Sequence, residues 1–102
     1  MTFDEYQAWN AGSAMYEKDI AVYGLGLAGE TGEVVEHIKK ALRTGGPYKK
    51  DVDLHAMKLE LGDVLWYLTA IATHYEIPMA EIANANRTKI NKKLEGISNE
   101  TV

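Results

Sequence analysis

The sequence contains no cysteine and only two prolines among its 102 residues. The missing thiols exclude disulfide bonds, cysteine-based catalysis and Cys-ligated zinc. No apolar run approaches the ~20 residues that cross a bilayer, so we expect no contact with a membrane. Acidic residues occur in the opening MTFDEYQAWN, where a signal peptide would carry Lys or Arg. These absences predict a cytoplasmic location.

Basic residues are also scarce, with 11 Lys and Arg against 15 Asp and Glu and a formal net charge of −4. Proteins that bind duplex DNA usually present a basic face, so this balance disfavours nucleic acid as a partner and fits divalent cations better. The hydrophobic share of 46% and the charged share of 25% are ordinary for a globular protein. The length suits one domain, residues 1–102.

Apolar residues recur at helical spacing along most of the chain, which predicts an all-α fold. We expect four helices, over about residues 2–13, 19–43 and 51–75 and from Pro78 onward, with Gly45-Gly46 ending the second. Short connections between four helices are typical of a small four-helix bundle-like domain. The third helix is apolar nearly all round, with a polar sector limited to Lys58, Thr69 and His55. We therefore expect it to be buried and the domain to associate with other copies through helix faces.

The glycines of the second segment form Gly24-x-Gly26-x-x-Gly29, the spacing of a dinucleotide-binding loop. That fold needs a second parallel strand after the helix, whereas the sequence here continues with a loop and another helix. The nucleotide-loop interpretation is therefore disfavoured. Two alternatives remain: the glycines allow close helix packing, or Gly26 and Gly29 leave space beside Glu33.

Two pairs of acids stand at i and i+3, Glu30 with Glu33 and Glu60 with Asp63, so each pair occupies one face of its helix. Both pairs adjoin the apolar arc. If the second and third helices pack through their apolar faces, four carboxylates converge, and unpaired burial costs several kcal/mol per charge. A divalent Mg²⁺ or Mn²⁺ would neutralise them, since both ions prefer oxygen ligands. The alternative is two separate solvated pairs on helices that do not face each other.

Iron is the competing metal, because carboxylate-rich bundles often hold two iron ions with a Glu-x-x-His motif. The residues three positions before His37, His55 and His74 are Val34, Val52 and Ile71. The motif is absent, which favours a hard ion bound by oxygen alone. Such ions bridge phosphate oxygens and activate water for attack at phosphorus.

At these residues the sequence resembles the MazG-like, all-α NTP pyrophosphohydrolases, whose hallmark is Glu-x-x-Glu, a spacer, and Glu-x-x-Asp. Here 26 residues separate Glu33 from Glu60, and the surrounding GLAGETGEVVEHIKK and ELGDVLWYL also match. The resemblance extends from about Tyr23 to Lys93. It implies release of pyrophosphate from a (d)NTP, with nucleotide-pool house-cleaning as the role and Mg²⁺ as the cofactor (Mn²⁺ as a substitute).

The resemblance also implies roles for individual residues. Glu30, Glu33, Glu60 and Asp63 would hold the metal, with Glu33 and Glu60 the catalytic pair and Glu33 orienting the water. The substrate would be bound by Tyr67, Asn86, Lys89 and Lys93. The last three share one face of the fourth helix, although a solvated basic face explains them equally well.

The family habit of sharing sites between subunits agrees with a homodimer or a homotetramer built as a dimer of dimers. The alternative function is a non-catalytic helical interaction module with a structural divalent ion. Phe3, Tyr6 and Trp9 are candidates for stacking on a base, but their spacing also suits an ordinary core stripe, which we favour.

Overall fold

The computed structural model describes residues 1–14, 19–44 and 52–101 of the chain. Regular structure within these ranges consists of four helices: α1 (Phe3–Ser13), α2 (Ile20–Thr44), α3 (Leu54–His74) and α4 (Met79–Thr101). The all-α, four-helix prediction is confirmed. The predicted stop at Gly45-Gly46 lies outside the described residues. Asp51, the predicted start of the third helix, also lies outside them, and α3 begins three residues later at Leu54. In the part of the chain that is described, no helix is long and apolar enough to span a membrane.

The helix starts follow from short polar side chains that satisfy free backbone N–H groups. Thr2 and Glu5 form a reciprocal capping box at α1, in which each side chain accepts a hydrogen bond from the other's backbone N–H. The side chain of Asp53 accepts from the backbone N–H of Ala56 and caps α3. Glu76 adopts a left-handed backbone (φ 58°) in the turn between α3 and α4.

Helices α2 and α3 form the main packing unit, and α1 packs across α3. The pairs Tyr23 with Trp66 and His37 with Glu60 show that α2 and α3 run antiparallel. The side chain of Gln7 fastens the start of α4 to α1, because it donates to the Ile77 carbonyl and accepts from the Met79 N–H. These two hydrogen bonds fix the position of the start of α4 relative to α1.

The interface between α1 and α3 buries two polar side chains, which corrects the predicted polar face of α3. Thr69 is 0% exposed, although its helical phase predicted a position on the solvent-exposed face. Its hydroxyl donates to the Leu65 carbonyl within the helix, so burial leaves no unmet hydrogen bond. Asn10 is 1% exposed and donates from Nδ2 to the Trp66 carbonyl, 3.0 Å away. The α1 helix therefore covers the Thr69 part of the face that periodicity assigned to solvent, while His55 and Lys58 are exposed as predicted.

The prediction that α3 is buried on nearly every side is wrong for the single chain. Leu59 and Leu61 are 57% and 50% exposed, and Leu54 and Leu68 are also exposed. Their faces point away from both α1 and α2, the two helices that pack against α3. Within residues 1–14, 19–44 and 52–101, no element covers these leucines.

Helix α4 packs against α1 through its first residues, where Gln7 accepts from the Met79 N–H. All of residues 83–97 are exposed. Ile90, Leu94 and Ile97 recur at i, i+4 and i+7, so they form an uncovered apolar stripe along this part of the helix.

Candidate metal centre

Three carboxylates from α2 and α3 meet on one side of the antiparallel pair. Glu30, Glu60 and Asp63 each place an oxygen within 4.8 Å of the others. Glu30 and Glu60 are half-buried, whereas Asp63 is exposed. Packing of the two helices thus brings the two acidic motifs together as expected. The cluster is more exposed to solvent than a sealed apolar pocket would be.

The electrostatics of this cluster are dominated by repulsion. Partial burial, followed by the negative charges of Asp63, Glu60 and Glu33, raises the pKa of Glu30, and a hydrogen bond with the Glu60 side chain acts in the same direction. Each cause favours a proton on Glu30 when no cation is present. A bound cation would reverse this preference, because it stabilises the ionised form of every ligand.

Glu33 lies outside the three-carboxylate group and is exposed. It stays close enough for its charge to contribute to the raised pKa of Glu30. Of the four acids assigned to the metal by the motif, the structure brings three together and leaves Glu33 at the periphery.

His37 is a neighbour of the cluster that the sequence reasoning missed. Its Nε2 lies 3.7 Å from Oε1 of Glu60, across the α2–α3 interface. The signal was available in the spacing, since His37 follows Glu30 by seven residues and Glu33 by four and so shares their helix face. His37 is the nearest cationic candidate to the acids among the ion pairs of the described residues.

A pocket of about 310 Å³ opens beside the acids, lined by Glu30, Asp63, Trp66 and Tyr67. The predicted substrate residue Tyr67 therefore lies at the cluster. Its ring packs edge-on against Trp66, with ring centroids 5.1 Å apart. It also lies directly over Gly26, where an added Cβ would collide with the ring. Gly26 thus permits close helix packing, the first of the two interpretations of the glycines, while Gly29 has open space around it.

Tyr6 approaches the same region from α1. Burial raises the pKa of Tyr6, and the negative charge of Asp63 raises it further. Its ring contacts Trp9 at a centroid distance of 5.5 Å, and it lines a separate apolar pocket with Phe3 and Leu65. Because Phe3 and Trp9 are exposed, the aromatic residues of α1 are not the closed core stripe that we favoured.

The basic residues of α4 stand apart from the acids in the single chain. Asn86, Lys89 and Lys93 are all exposed, and none of them lines the pocket beside Glu30 and Asp63. Lys89 instead borders a groove on α4 itself, with Asn84 and Lys92. One chain therefore places the acidic and basic parts of the predicted site on different surfaces.

The donor set of the acidic cluster fits a small, hard divalent cation. In a Mg²⁺ octahedron with bonds of about 2.1 Å, ligand oxygens are about 3.0 Å apart at adjacent positions and about 4.2 Å apart at opposite positions. The three carboxylate oxygens, which lie within 4.8 Å of one another, would therefore draw closer together when they bind one ion. All three ligands are carboxylates, the type that Mg²⁺ and Mn²⁺ prefer. Three ligands leave coordination positions open for water and phosphate oxygens.

The profile of the MazG nucleotide pyrophosphohydrolase domain matches residues 19–97, which include α2, α3 and most of α4. The chain belongs to the MazG nucleotide pyrophosphohydrolase family. It is also similar to the "Gene 37 protein" of Mycobacterium phage L5, with 26% identity over 101 residues that cover 91% of this chain and 89% of the relative. No solved structure matches the chain.

Membership of the MazG family agrees with the resemblance carried by the two acidic motifs. The profile covers every carboxylate of the cluster and also His37, Tyr67 and Lys93. It begins after α1, so Tyr6 and Asn10 lie in a part of this chain outside the match.

Proposed function

We propose that the protein is a Mg²⁺-dependent nucleoside triphosphate pyrophosphohydrolase, which converts a (d)NTP and water to a (d)NMP and pyrophosphate. The observation that carries the proposal is the meeting of Glu30, Glu60 and Asp63 within 4.8 Å in a chain of the MazG family. Mn²⁺ is expected to substitute for Mg²⁺, because both ions accept oxygen ligands in similar geometry.

In this proposal Glu30, Glu60 and Asp63 hold the metal, and Glu33 completes the set from the periphery. The metal would supply charge neutralisation of the triphosphate and a more acidic bound water. Glu33, whose exposed carboxylate lies outside the three-oxygen group, would also orient the attacking water and accept its proton, with Glu60 as the second catalytic carboxylate. Tyr67 borders the same pocket and can donate its hydroxyl hydrogen to a phosphate oxygen.

We further propose that the site is completed between copies of the chain, in a homodimer or a dimer of dimers. The exposed leucines of α3 and the apolar stripe Ile90, Leu94 and Ile97 on α4 are faces that a second copy can bury. Such packing would carry Asn86, Lys89 and Lys93 toward the acids of the partner subunit. It would give the phosphates cationic hydrogen-bond donors, which are missing from the residues that line the acidic pocket of one chain.

Nucleotide-pool house-cleaning in the cytoplasm is the role that fits this chemistry. The net charge of −4 disfavours a nucleic-acid substrate. A free nucleoside triphosphate, accompanied by its own Mg²⁺, is compatible with an acidic site.

Pyrophosphate release from a panel of canonical and damaged dNTPs, with Mg²⁺ or Mn²⁺, tests the activity. Glu60→Gln and Asp63→Asn should each lower turnover by at least about 10²-fold, as expected when a group that stabilises transition-state charge is lost. Glu95→Gln, at an exposed acid of α4, is the matched control and should leave turnover unchanged. If folded wild-type protein binds Mn²⁺ but releases no pyrophosphate from any dNTP, the alternative of a non-catalytic helical module with a structural ion is favoured.

Complementation tests the shared site. Asp63→Asn and Lys89→Ala proteins should each be inactive, and mixing them after dissociation should restore activity if one protomer supplies acids and its partner supplies Lys89. A monomer by light scattering with full activity would contradict the assembly while leaving the hydrolase proposal intact.

A further inference from the structure

A second cavity lies two helical turns beyond the acids, between α1, α2 and α3. Its volume is about 230 Å³, and its lining includes Asn10 and Ala11 of α1, Tyr23 of α2 and Ala70 of α3. An apolar cavity of about 150 Å³ is enough to hold a benzene ring. The cavity is therefore large enough for one planar heterocycle and too small for a whole nucleotide.

Asn10 is a buried polar residue in the lining of the cavity. Asn10 is 1% exposed, and its Nδ2 donates to the carbonyl of Trp66. Because a carbonyl can only accept, this bond fixes the orientation of the amide, with Oδ1 as the remaining acceptor. No described residue donates a hydrogen bond to Oδ1. Every side-chain oxygen or nitrogen that is fully enclosed in the described residues has a hydrogen-bond partner, so Oδ1 is not fully enclosed. Oδ1 therefore faces the open cavity.

Three other residues with polar side chains line the cavity: Tyr23, Thr73 and His74. The Thr73 hydroxyl donates to the Thr69 carbonyl and accepts from Gln7, and His74 is exposed. Asn10 thus offers a buried acceptor with unused capacity, and a buried acceptor without a donor costs free energy until a ligand supplies one. The complementary ligand is a flat, largely apolar ring with an N–H on its edge.

The distance between the cavity and the acids suits a molecule with a ring at one end, in the cavity, and phosphates at the other end, near the acids. Ala70 follows Asp63 by seven residues on α3, which is about 10 Å along the helix and on the same face. Tyr23 precedes Glu30 by the same interval on α2. Trp66 lies between the two ends, since it borders the acidic pocket and its ring is 6.2 Å from that of Tyr23.

We infer that this cavity binds the nucleobase of the substrate, with Oδ1 of Asn10 accepting a hydrogen bond from an N–H group on the edge of the base. The inference rests on the proposed function for the identity of the ligand. A nucleoside triphosphate carries a flat ring, its base, at the end remote from the phosphates. It assigns base recognition to α1, which lies outside the part of the chain that matches the family.

Nucleosides without phosphate, in metal-free buffer, test the inference independently of catalysis. Saturation-transfer NMR should show binding of 2′-deoxycytidine or 2′-deoxyadenosine to the full chain. The matched analogue that lacks only the exocyclic amine should bind about tenfold more weakly, because it leaves Oδ1 unpaired. Equal binding of an amine-bearing nucleoside and its deamino analogue, for both bases, overturns the role of Asn10.

Variants locate the binding. Asn10→Ala removes the acceptor but also the bond to Trp66, so it can fail to fold. Ala11→Leu avoids that problem, because Ala11 is exposed at the rim and a larger side chain there fills the cavity. It should weaken nucleoside binding at least tenfold. Ala8→Leu, the same change one turn earlier and outside this cavity, should alter binding less than twofold. Unchanged binding in Ala11→Leu overturns the location.

The same variants separate this inference from the proposed function. Ala11→Leu should raise KM for the dNTP about tenfold with kcat nearly unchanged. If pyrophosphate is released and Ala11→Leu leaves KM unchanged, base recognition in this cavity is wrong and the hydrolase proposal stands. If nucleosides bind as expected and no pyrophosphate is released, the cavity assignment stands and the hydrolase proposal fails.

Discussion

Replacing Gly26 by Ala would place a methyl group against the ring of Tyr67. The Cβ would collide with three ring atoms of Tyr67, so the ring or the helix must move. The same substitution at Gly24, two residues earlier on α2, meets no atom within 4 Å. Both substitutions add one methyl group to the same helix, and they differ in whether the added methyl group meets the ring of Tyr67.

The magnitudes follow from two opposing effects. Gly to Ala in a helix interior stabilises by about 1 kcal/mol, and this gain should appear in full for Gly24→Ala. Overpacking typically costs about 1–3 kcal/mol, so Gly26→Ala should range from neutral to about 2 kcal/mol less stable than wild type. At about 4–8 °C per kcal/mol for a domain of this size, the melting temperatures of the two variants should differ by at least ~4 °C.

Thermal unfolding followed by circular dichroism measures this difference, and a second background identifies its cause. When Tyr67 is first replaced by Ala, Gly26→Ala should become stabilising, because the clash partner is gone. Equal melting temperatures for Gly24→Ala and Gly26→Ala, or no change of sign in the Tyr67→Ala background, would refute the packing of Tyr67 on Gly26.

Three further perturbations test the electrostatics and the caps. The fold raises the pKa of Glu30 above its ordinary 4.5. Between the ordinary pKa and the raised pKa, the folded metal-free protein holds the proton more tightly than the unfolded chain does. The stability of the protein should therefore rise as the pH falls through this range and decrease as the pH rises through it. Glu30→Gln should therefore raise the melting temperature in EDTA at neutral pH by about 2–6 °C and reduce the stabilisation by Mn²⁺; a lower melting temperature in EDTA would show that Glu30 is paired rather than repelled. His37→Ala should weaken Mn²⁺ binding by about tenfold in calorimetry, as loss of a residue that orients a ligand does, while His55→Ala has no effect; equal affinities would remove His37 from the site. Thr2→Ala should cost about 1 kcal/mol in urea unfolding through loss of the capping box, and an unchanged midpoint would show that α1 does not depend on it.

The helices and the pairing of acidic motifs could be predicted because they depend on residues near one another in sequence. Thr2 with Glu5 and Asp53 with Ala56 set helix starts through side chains three residues from the N–H they cap. The i and i+3 acids share a helix face by geometry alone. Packing of α2 on α3 through their apolar sides then brings Glu30 to Glu60 and Asp63.

The burial of Asn10 and Thr69 could not be predicted, because it depends on where α1 crosses α3. A polar residue on a helix face is read as solvent-exposed unless another element supplies its hydrogen bonds. Here the Trp66 carbonyl of α3 accepts from Asn10 of α1, whereas Thr69 donates to the Leu65 carbonyl of its own helix and is buried because α1 packs across it. The contact between His37 and Glu60 was hidden for the same reason, since each residue alone fits an exposed helix surface.

The sequence by itself determined the four helices and the two acidic motifs, because periodicity and i, i+3 spacing act over a few residues. Only the tertiary structure decided which side chains meet across helices. It brought three of the four acids together, left Glu33 at the edge, set Tyr67 over Gly26 and placed Asn10 in a cavity rather than in water. The physical reason is that helical phase fixes the direction of a side chain on its own helix, whereas its partner depends on the position of another helix that local sequence does not specify.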